Sequence, residues 1–227
     1  MRMPFELFVA LRYLFSRRKQ TFIYIISIMS ILGVALGVGA LVVVLGVYNG
    51  LTTDMRDKII GANAHGIVMS YVPAAFQQHP GLVRRVEAVE HVRGATPFIY
   101  TEVMLSAAGG VKGLVLRGID PESAPKVLSM LREIRRGSVT DLQREATPGI
   151  VIGEELAKRL GIGLGSRVNL LSPSGEKGAT GYSPRIRPFE VVGIFKTGMF
   201  EYDATLAFVD LKAARDILGL PDGFLTG

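Results

Sequence analysis

Between Gln20 and Thr53 the chain carries no charged residue, and its core, Phe22 to Tyr48, reads FIYIISIMSILGVALGVGALVVVLGVY. A helix crosses a bilayer core of about 30 Å with roughly 20 apolar residues, so this run spans it with room for tilt. It contains no proline, and Gly33, Ala35, Gly37, Gly39 and Ala40 are small, as is common where membrane helices pack closely. Gly33 and Gly37 stand four apart, on one helix face. A buried helix of a soluble protein is seldom uncharged for so long. The apolar region of a cleaved signal peptide is shorter, about 7–15 residues.

The flanks set the expected orientation. Arg17, Arg18 and Lys19 precede the apolar run, whereas Asp54, Arg56, Asp57 and Lys58 balance after it. The positive-inside rule puts the N-terminus in the cytoplasm and the residues after about 50 outside, which is the periplasm of a Gram-negative cell. The net charge of +6 is uneven in the same way. Residues 1–19 hold five basic residues against Glu6, or +4, leaving 21 basic and 19 acidic residues, or +2, for the rest. Basic charge beside an apolar run fits a membrane and not a nucleic-acid partner. The apolar, aromatic segment PFELFVALRYLF before the basic cluster either lies in the membrane interface or extends the helix inward. The expected organisation is a cytoplasmic or interfacial segment 1–19, a transmembrane helix 20–48, and an extracytoplasmic domain 49–227.

That domain reads as α+β with mostly antiparallel pairing. Strands are expected at His65–Ser70, at 99–105, where Ile99, Thr101, Val103 and Leu105 alternate with Tyr100, Glu102 and Met104, and at Gly113–Ile119. Ala108-Gly109-Gly110 joins the latter two as a hairpin. Further strands are expected at Gly149–Ile152, Arg167–Leu171, Phe189–Phe195 and Thr205–Val209. Helices are expected over Gly81–Val92, from Asp120-Pro121 to about Arg136, over Glu154–Leu160 with Gly161 as its stop, and from Asp210, an N-cap, through Leu218.

Nothing in the sequence calls for catalysis or a cofactor. The chain has no cysteine, which excludes disulfides and thiol chemistry. It has no Gly-Lys-Ser/Thr phosphate loop and no Gly-x-Ser-x-Gly elbow. His65, His79 and His91 lack metal-ligand spacing, so no metal site is expected. The most function-like feature is the Gly/Ser/Pro-rich segment Ser172–Pro184, SPSGEKGATGYSP, because structureless loops of about 12 residues or more are uncommon and usually functional or disordered.

These residues resemble the LolC/LolE family, the permeases of the lipoprotein-releasing ABC transporter, whose extracytoplasmic part is a MacB-like periplasmic core domain. The resemblance is carried by FELFVALRYLFSRRK (5–19), ISIMSILGVALGVGALVVVLGVYNGL (26–51), DMRDKIIGANAH (54–65), LRGIDP (116–121), PGIVIGEELAKRLGIGLGSRVNLLSP (148–173), FEVVGIF (189–195) and EYDATLAFVDLKAA (201–214). It covers essentially the whole chain. It implies a non-catalytic subunit in the inner membrane, working with a cytoplasmic LolD-like ATPase and a second permease copy or paralogue. The implied activity is extraction of outer-membrane lipoproteins and hand-off to a periplasmic LolA-like carrier. The family's exposed hook corresponds to the loop 172–184, with Ser172, Pro173, Ser174, Gly175, Tyr182 and Pro184. Arg167, Arg185 and Arg187 correspond to a polar pad beside it, although Ile186 stands where a polar residue is expected. Met29, Leu32, Leu36 and Val43 are the expected surface toward membrane lipids and lipoprotein acyl chains. A full permease has four membrane helices, so the expectation is a truncated polytopic protein. A force-transmitting MacB- or FtsX-like subunit shares the architecture, and carrier binding discriminates it. A single-pass anchored binding domain is the third possibility.

The membrane reading is testable at Leu36. A charge at mid-membrane costs about 2.5–3.5 kcal/mol on insertion scales. Leu36→Lys is expected to reduce membrane integration in a translocon glycosylation assay, and unchanged integration would place the centre of the span elsewhere.

Overall fold

The computed structural model describes residues 5–14, 21–69, 81–132, 134–144, 146–178 and 181–227. The chain divides into two compact units, Met1–Met55 and Arg56–Gly227.

The first unit is helical. Helix α1 spans Phe5–Leu14, and α2 spans Thr21–Ala62. Among the described residues α2 is the one helix long and apolar enough to cross a membrane, and none of its most apolar stretch is buried in the protein. A helix apolar on every side needs lipid or other helices around it. The helix runs 14 residues past the expected end at 48. Charge alone did not end it: Asp54 and Lys58 stand four apart, acid before base, a spacing that favours helix. The basic triplet Arg17, Arg18 and Lys19 lies outside the described residues.

The second unit is built on one seven-stranded mixed sheet. After a short helix α3, Leu82–Glu87, strands β1 (Phe98–Ala107) and β2 (Gly110–Ile119) form the expected antiparallel hairpin. Helix α4 (Ala124–Val127) and a 3₁₀ turn over Ser129–Leu131 lead to the two-residue strand β3, Arg136–Gly137. Strand β4 (Gly149–Gly153) runs into α5 (Glu154–Leu160). Two long strands follow, β5 (Arg167–Gly178) and β6 (Gly181–Phe195). Helix α6 (Phe200–Thr205), β7 (Leu206–Asp210) and α7 (Leu211–Leu218) complete the unit. The strand order is β3-β6-β4-β7-β2-β1-β5, and β5 pairs again with β6, which closes six strands into a ring. Five of the seven pairings are antiparallel; β2–β7 and β4–β6 are parallel.

Two apolar clusters lie on opposite faces of these strands. The inner one gathers Val103, Leu105, Leu114, Leu116, Ile150, Ile152, Leu170 and Phe189 with Leu156 of α5 and Ile217 of α7. The outer one packs Leu128, Met130, Leu131, Val139 and Leu142 on Val151, Val192, Phe195, Leu206 and Phe208. A bulge in β6 makes both clusters possible. Ile150 faces Val191 but Val151 faces Gly193, so one extra residue reverses the alternation. Phe189 and Val191 point inward before it, and Ile194 points inward after it.

The sequence expectations hold for the β1–β2 hairpin, β4, α5, β7 and α7. Gly161 stops α5 in a left-handed conformation (φ 63°), with Ile162 N–H donating to Ala157 O at 3.0 Å. Asp210 caps α7 by accepting from Lys212 N–H at 2.9 Å. Three of the expected strands and helices fail. Residues 65–69 form no strand; Ile67, Val68 and Met69 are exposed and find no partner strand, and Ser70 lies outside the described residues. The helix to Arg136 breaks at Leu128, which is extended (φ −100°, ψ 100°). The break lets Leu128, Met130 and Leu131 all reach the sheet, which one regular helix face cannot do. The helix expected over 81–92 ends at Glu87.

Asp203 is the main buried charge. It accepts from Thr197 N–H (2.8 Å), Thr197 Oγ1 (2.9 Å) and Gly198 N–H (3.1 Å), and so ties the β6–α6 turn to α6. Asp203→Ala strands those donors and is expected to cost about 2–4 kcal/mol, read as a lower denaturant midpoint.

Candidate functional site

The segment 172–184 is a two-stranded arm and not an irregular loop. β5 continues to Gly178 and β6 begins at Gly181, with Glu176 paired to Ser183, Lys177 to Tyr182 and Gly178 to Gly181. The prolines explain why the sequence reads as loop. Pairing lapses between Ser172–Arg185 and Glu176–Ser183, so Pro173, Ser174 and Gly175 on β5 oppose Pro184 alone. The prolines thus sit where no ladder N–H is required. Pro173 and Pro184 are exposed, whereas Ser172 is fully buried at the base. Gly175 is demanded by the crossing, because a Cβ there would overlap the Ser183 carbonyl. For Ser174 and Tyr182 the backbone position in the strands is what the structure describes.

The three arginines are divided between two faces. Residues paired across an antiparallel ladder project to the same side. Arg187 faces Leu170 and Arg185 faces Ser172, so both lie on the side of the inner cluster, past its end. Arg185 packs against the C-terminus of α7, where a Cβ on Gly219 would overlap its guanidinium. A cation there is favoured by the exposed helix carbonyls. Arg167 is exposed on the outer side, opposite Glu190, which is itself bound by Arg144 at 2.7 Å. The structure therefore joins Arg185 and Arg187 and sets Arg167 apart.

On α2, Met29, Leu32, Leu36 and Val43 share one stripe by their spacing of three, four and seven. Their exposures are 69, 54, 71 and 65%, no different from Val34, Val38 or Val42 elsewhere on the helix. The helix alone does not distinguish the stripe.

The sequence reading missed one polar junction. Arg117 of β2 donates to Asn63 Oδ1 at 2.8 Å, and Asn63 Nδ2 donates to the Tyr202 hydroxyl at 2.9 Å. Ser129 Oγ donates to Gly61 O at 3.3 Å beside it. Burial holds the Arg117 guanidinium below its usual pKa. Nothing in the sequence announces it, since Asn63 and Tyr202 stand 139 residues apart. A second polar group surrounds Glu154, whose carboxyl is held below the usual range chiefly by Lys196, 2.7 Å away. Lys158 meets Glu155 at 2.9 Å. Arg135, Arg136, Glu154 and Lys158 line a cleft of about 560 Å³. Among the described residues no group of histidine, aspartate or glutamate is arranged to hold a metal. The arrangement offers exposed surfaces and an arm.

A helix long and apolar enough to cross a membrane is followed by this α+β domain. Residues 27–224 match the family model of the MacB-like periplasmic core domain. The lipoprotein-releasing system transmembrane protein LolC of Neisseria meningitidis serogroup B is 33% identical over 92% of this chain and 50% of its own length. LolC of Xylella fastidiosa (strain Temecula1) is 33% identical over 95% of this chain and 51% of its own, and LolE of Haemophilus influenzae is 24% identical over 100% and 54%. The chain belongs to the family of MacB-like periplasmic core domains, with the LolC/LolE transmembrane proteins. It spans about half the length of the curated relatives it matches.

The arm's geometry is testable at Gly175. Gly175→Val should open the arm to trypsin at Lys177 while leaving the denaturant midpoint within about 0.5 kcal/mol of wild type, as expected away from the core. An unchanged cleavage rate would show that the crossing tolerates a side chain.

Proposed function

We propose that the chain is part of a permease subunit of an ABC transporter that extracts outer-membrane lipoproteins from the inner membrane and passes them to a periplasmic carrier. In this reading the N-terminus is cytoplasmic, α2 crosses the inner membrane, and the second unit is periplasmic. A separate cytoplasmic ATPase supplies the energy, and a second permease copy or paralogue completes the pair. The stripe Met29, Leu32, Leu36 and Val43 meets lipid and acyl chains.

The observation that carries the reading is the arm. A paired hairpin extends past the core, with its crossing enforced by Gly175 and its base anchored by buried Ser172. Such an arm pre-orders backbone and side chains for a partner, which reduces the entropy lost on binding. Arg187 and Arg167 flank its base on opposite faces and offer charge-assisted contacts to acidic groups. Arg185 is assigned to positioning the arm through the α7 C-terminus.

The test is binding of the full chain in detergent to the purified carrier of the same organism, with and without residues 175–181. Loss of binding on deletion, with an unchanged circular dichroism spectrum, is the expected result. Retained binding would reduce the arm to a hairpin tip. Charge reversal at Arg187 is expected to weaken binding by about ten- to a hundredfold, as for a charged contact worth roughly 1.5–3 kcal/mol.

A further inference from the structure

The cleft beside α5 shares no residue with the arm. Its floor is apolar, with Ile162 at the C-terminal end of α5 and Ile194 and Phe195 at the end of β6. Its walls carry charge. Arg135, Arg136, Lys158 and Lys196 stand against Glu154 and Glu155, which leaves two positive charges over. The pairing shows which they are. Lys196 holds Glu154 at 2.7 Å; Lys158 holds Glu155 at 2.9 Å and reaches Glu154 at 3.6 Å. Arg135 and Arg136 are exposed and form no ion pair among the described residues. Their backbone is seated on β6: Arg135 N–H donates to Ile194 O at 3.1 Å, and Arg136 pairs with Ile194. Gly163 keeps the opposite wall open. It is not in the left-handed region, and a Cβ there would meet no atom within 4 Å, so neither backbone nor packing requires a glycine.

We infer that this cleft binds the phosphate of an anionic lipid headgroup, with Arg135 and Arg136 on the phosphate and Ile162 and Ile194 against the glycerol and first methylenes. The inference rests on the proposed function in one respect, that α2 crosses the inner membrane. Three observations select the occupant. First, guanidinium forks match phosphate oxygens, and two side by side suit a group with several acceptors. Second, the volume fits. Small-molecule sites run from about 300 to 1,000 Å³. A cleft of about 560 Å³ therefore takes a headgroup and excludes a folded protein. Its apolar floor suits a phosphate that carries an apolar tail better than a hydrated inorganic ion. Third, the strand end that supplies Lys196 leads to the last turns of α2. Two residues on is Gly198, where a Cβ would sit 3.6 Å from Lys58 Nζ. Lys58 stands five residues after the charge-free run ends at Thr53, within one continuous helix. With that run across the bilayer, about 8 Å of helix rise keeps Lys58 within a Debye length of the lipid surface.

The chain has no cysteine, so Leu164→Cys, at an exposed position next to Gly163, takes a single environment-sensitive fluorophore. The full labelled chain in neutral detergent is titrated with dioctanoyl phosphatidylglycerol, dioctanoyl phosphatidylcholine and inorganic phosphate. The expected result is a saturable response to phosphatidylglycerol, with affinity for the other two weaker by about tenfold or more. Arg135→Gln and Arg136→Gln should each weaken phosphatidylglycerol binding by about tenfold with unchanged melting. Arg144→Gln, outside the cleft, should titrate like wild type. Gly163→Leu should remove the saturable response by filling the cleft; where it lowers the melting temperature, the arginine variants decide. Equal affinity for the two lipids, wild-type affinity in both cleft arginine variants, or an equal loss in Arg144→Gln overturns the inference. Preference for inorganic phosphate overturns the lipid assignment. Carrier binding at the arm that persists through any of these leaves the proposed function standing. Failure of wild-type α2 to integrate in the translocon assay overturns the membrane reading and this inference together.

Discussion

The second unit depends on β6 pairing with three strands at once. Its first part, 181–190, closes against β5, and its last part, 190–195, pairs with β4, while β3 takes the free side at Gly193 and Ile194. That length lets the sheet close on itself and still carry an arm beyond the core. The bulge between Val191 and Gly193 is the condition for the two apolar clusters on its opposite faces. Without the reversal, Phe195 would turn into the inner cluster and Ile194 onto the outer one. Gly193 fits the bulge because a Cβ would sit 2.9 Å from Val151 Cγ2. The β3 contact needs Gly137 for the same reason, since a Cβ there would overlap the Val192 carbonyl.

What was legible in the sequence is what local chemistry decides. Asp210 before an apolar helix, Gly161 after one, and the alternation of Ile99 to Leu105 each report their own element. The failures share a cause in tertiary pairing. Pro173, Gly175 and Pro184 read as loop because each opposes regular strand. They are tolerated together, since the three-against-one crossing places them all at the lapse in the ladder. His65–Met69 has strand composition but pairs with no strand among the described residues. Leu128 leaves helix because the sheet rewards burying 128, 130 and 131 together. The arginines were found as residues, but their division between faces depends on register, which sequence alone did not supply.

Polar composition made 172–184 conspicuous, whereas Met104 and Val111 are indistinguishable in sequence from ordinary strand residues. Only the cover of Leu128–Leu142 separates a buried outer residue such as Phe208 from an exposed one such as Met104. Among the described residues, the segment Leu128–Leu142 packs on β4, β7 and the end of β6, while Met104 of β1 and Ile186 of β6 stay exposed.

The end of α2 gives the domain its remaining fixed point. Its last turns lie in the second unit, where Ser129 bonds the Gly61 carbonyl and Asn63 is held between Arg117 and Tyr202. These contacts satisfy groups that a helix end leaves open, and the Arg117 charge suits the helix C-terminus. They are polar, so they specify geometry more than they add stability: an unpaired Arg117, desolvated as it is, would be costly, and the paired one gains little net. Arg117 stands on β2 between Val115 and Ile119, both turned to the outer cluster. Within the second unit, Gly61 and Asn63 are thereby tied to the same sheet face that holds the outer core.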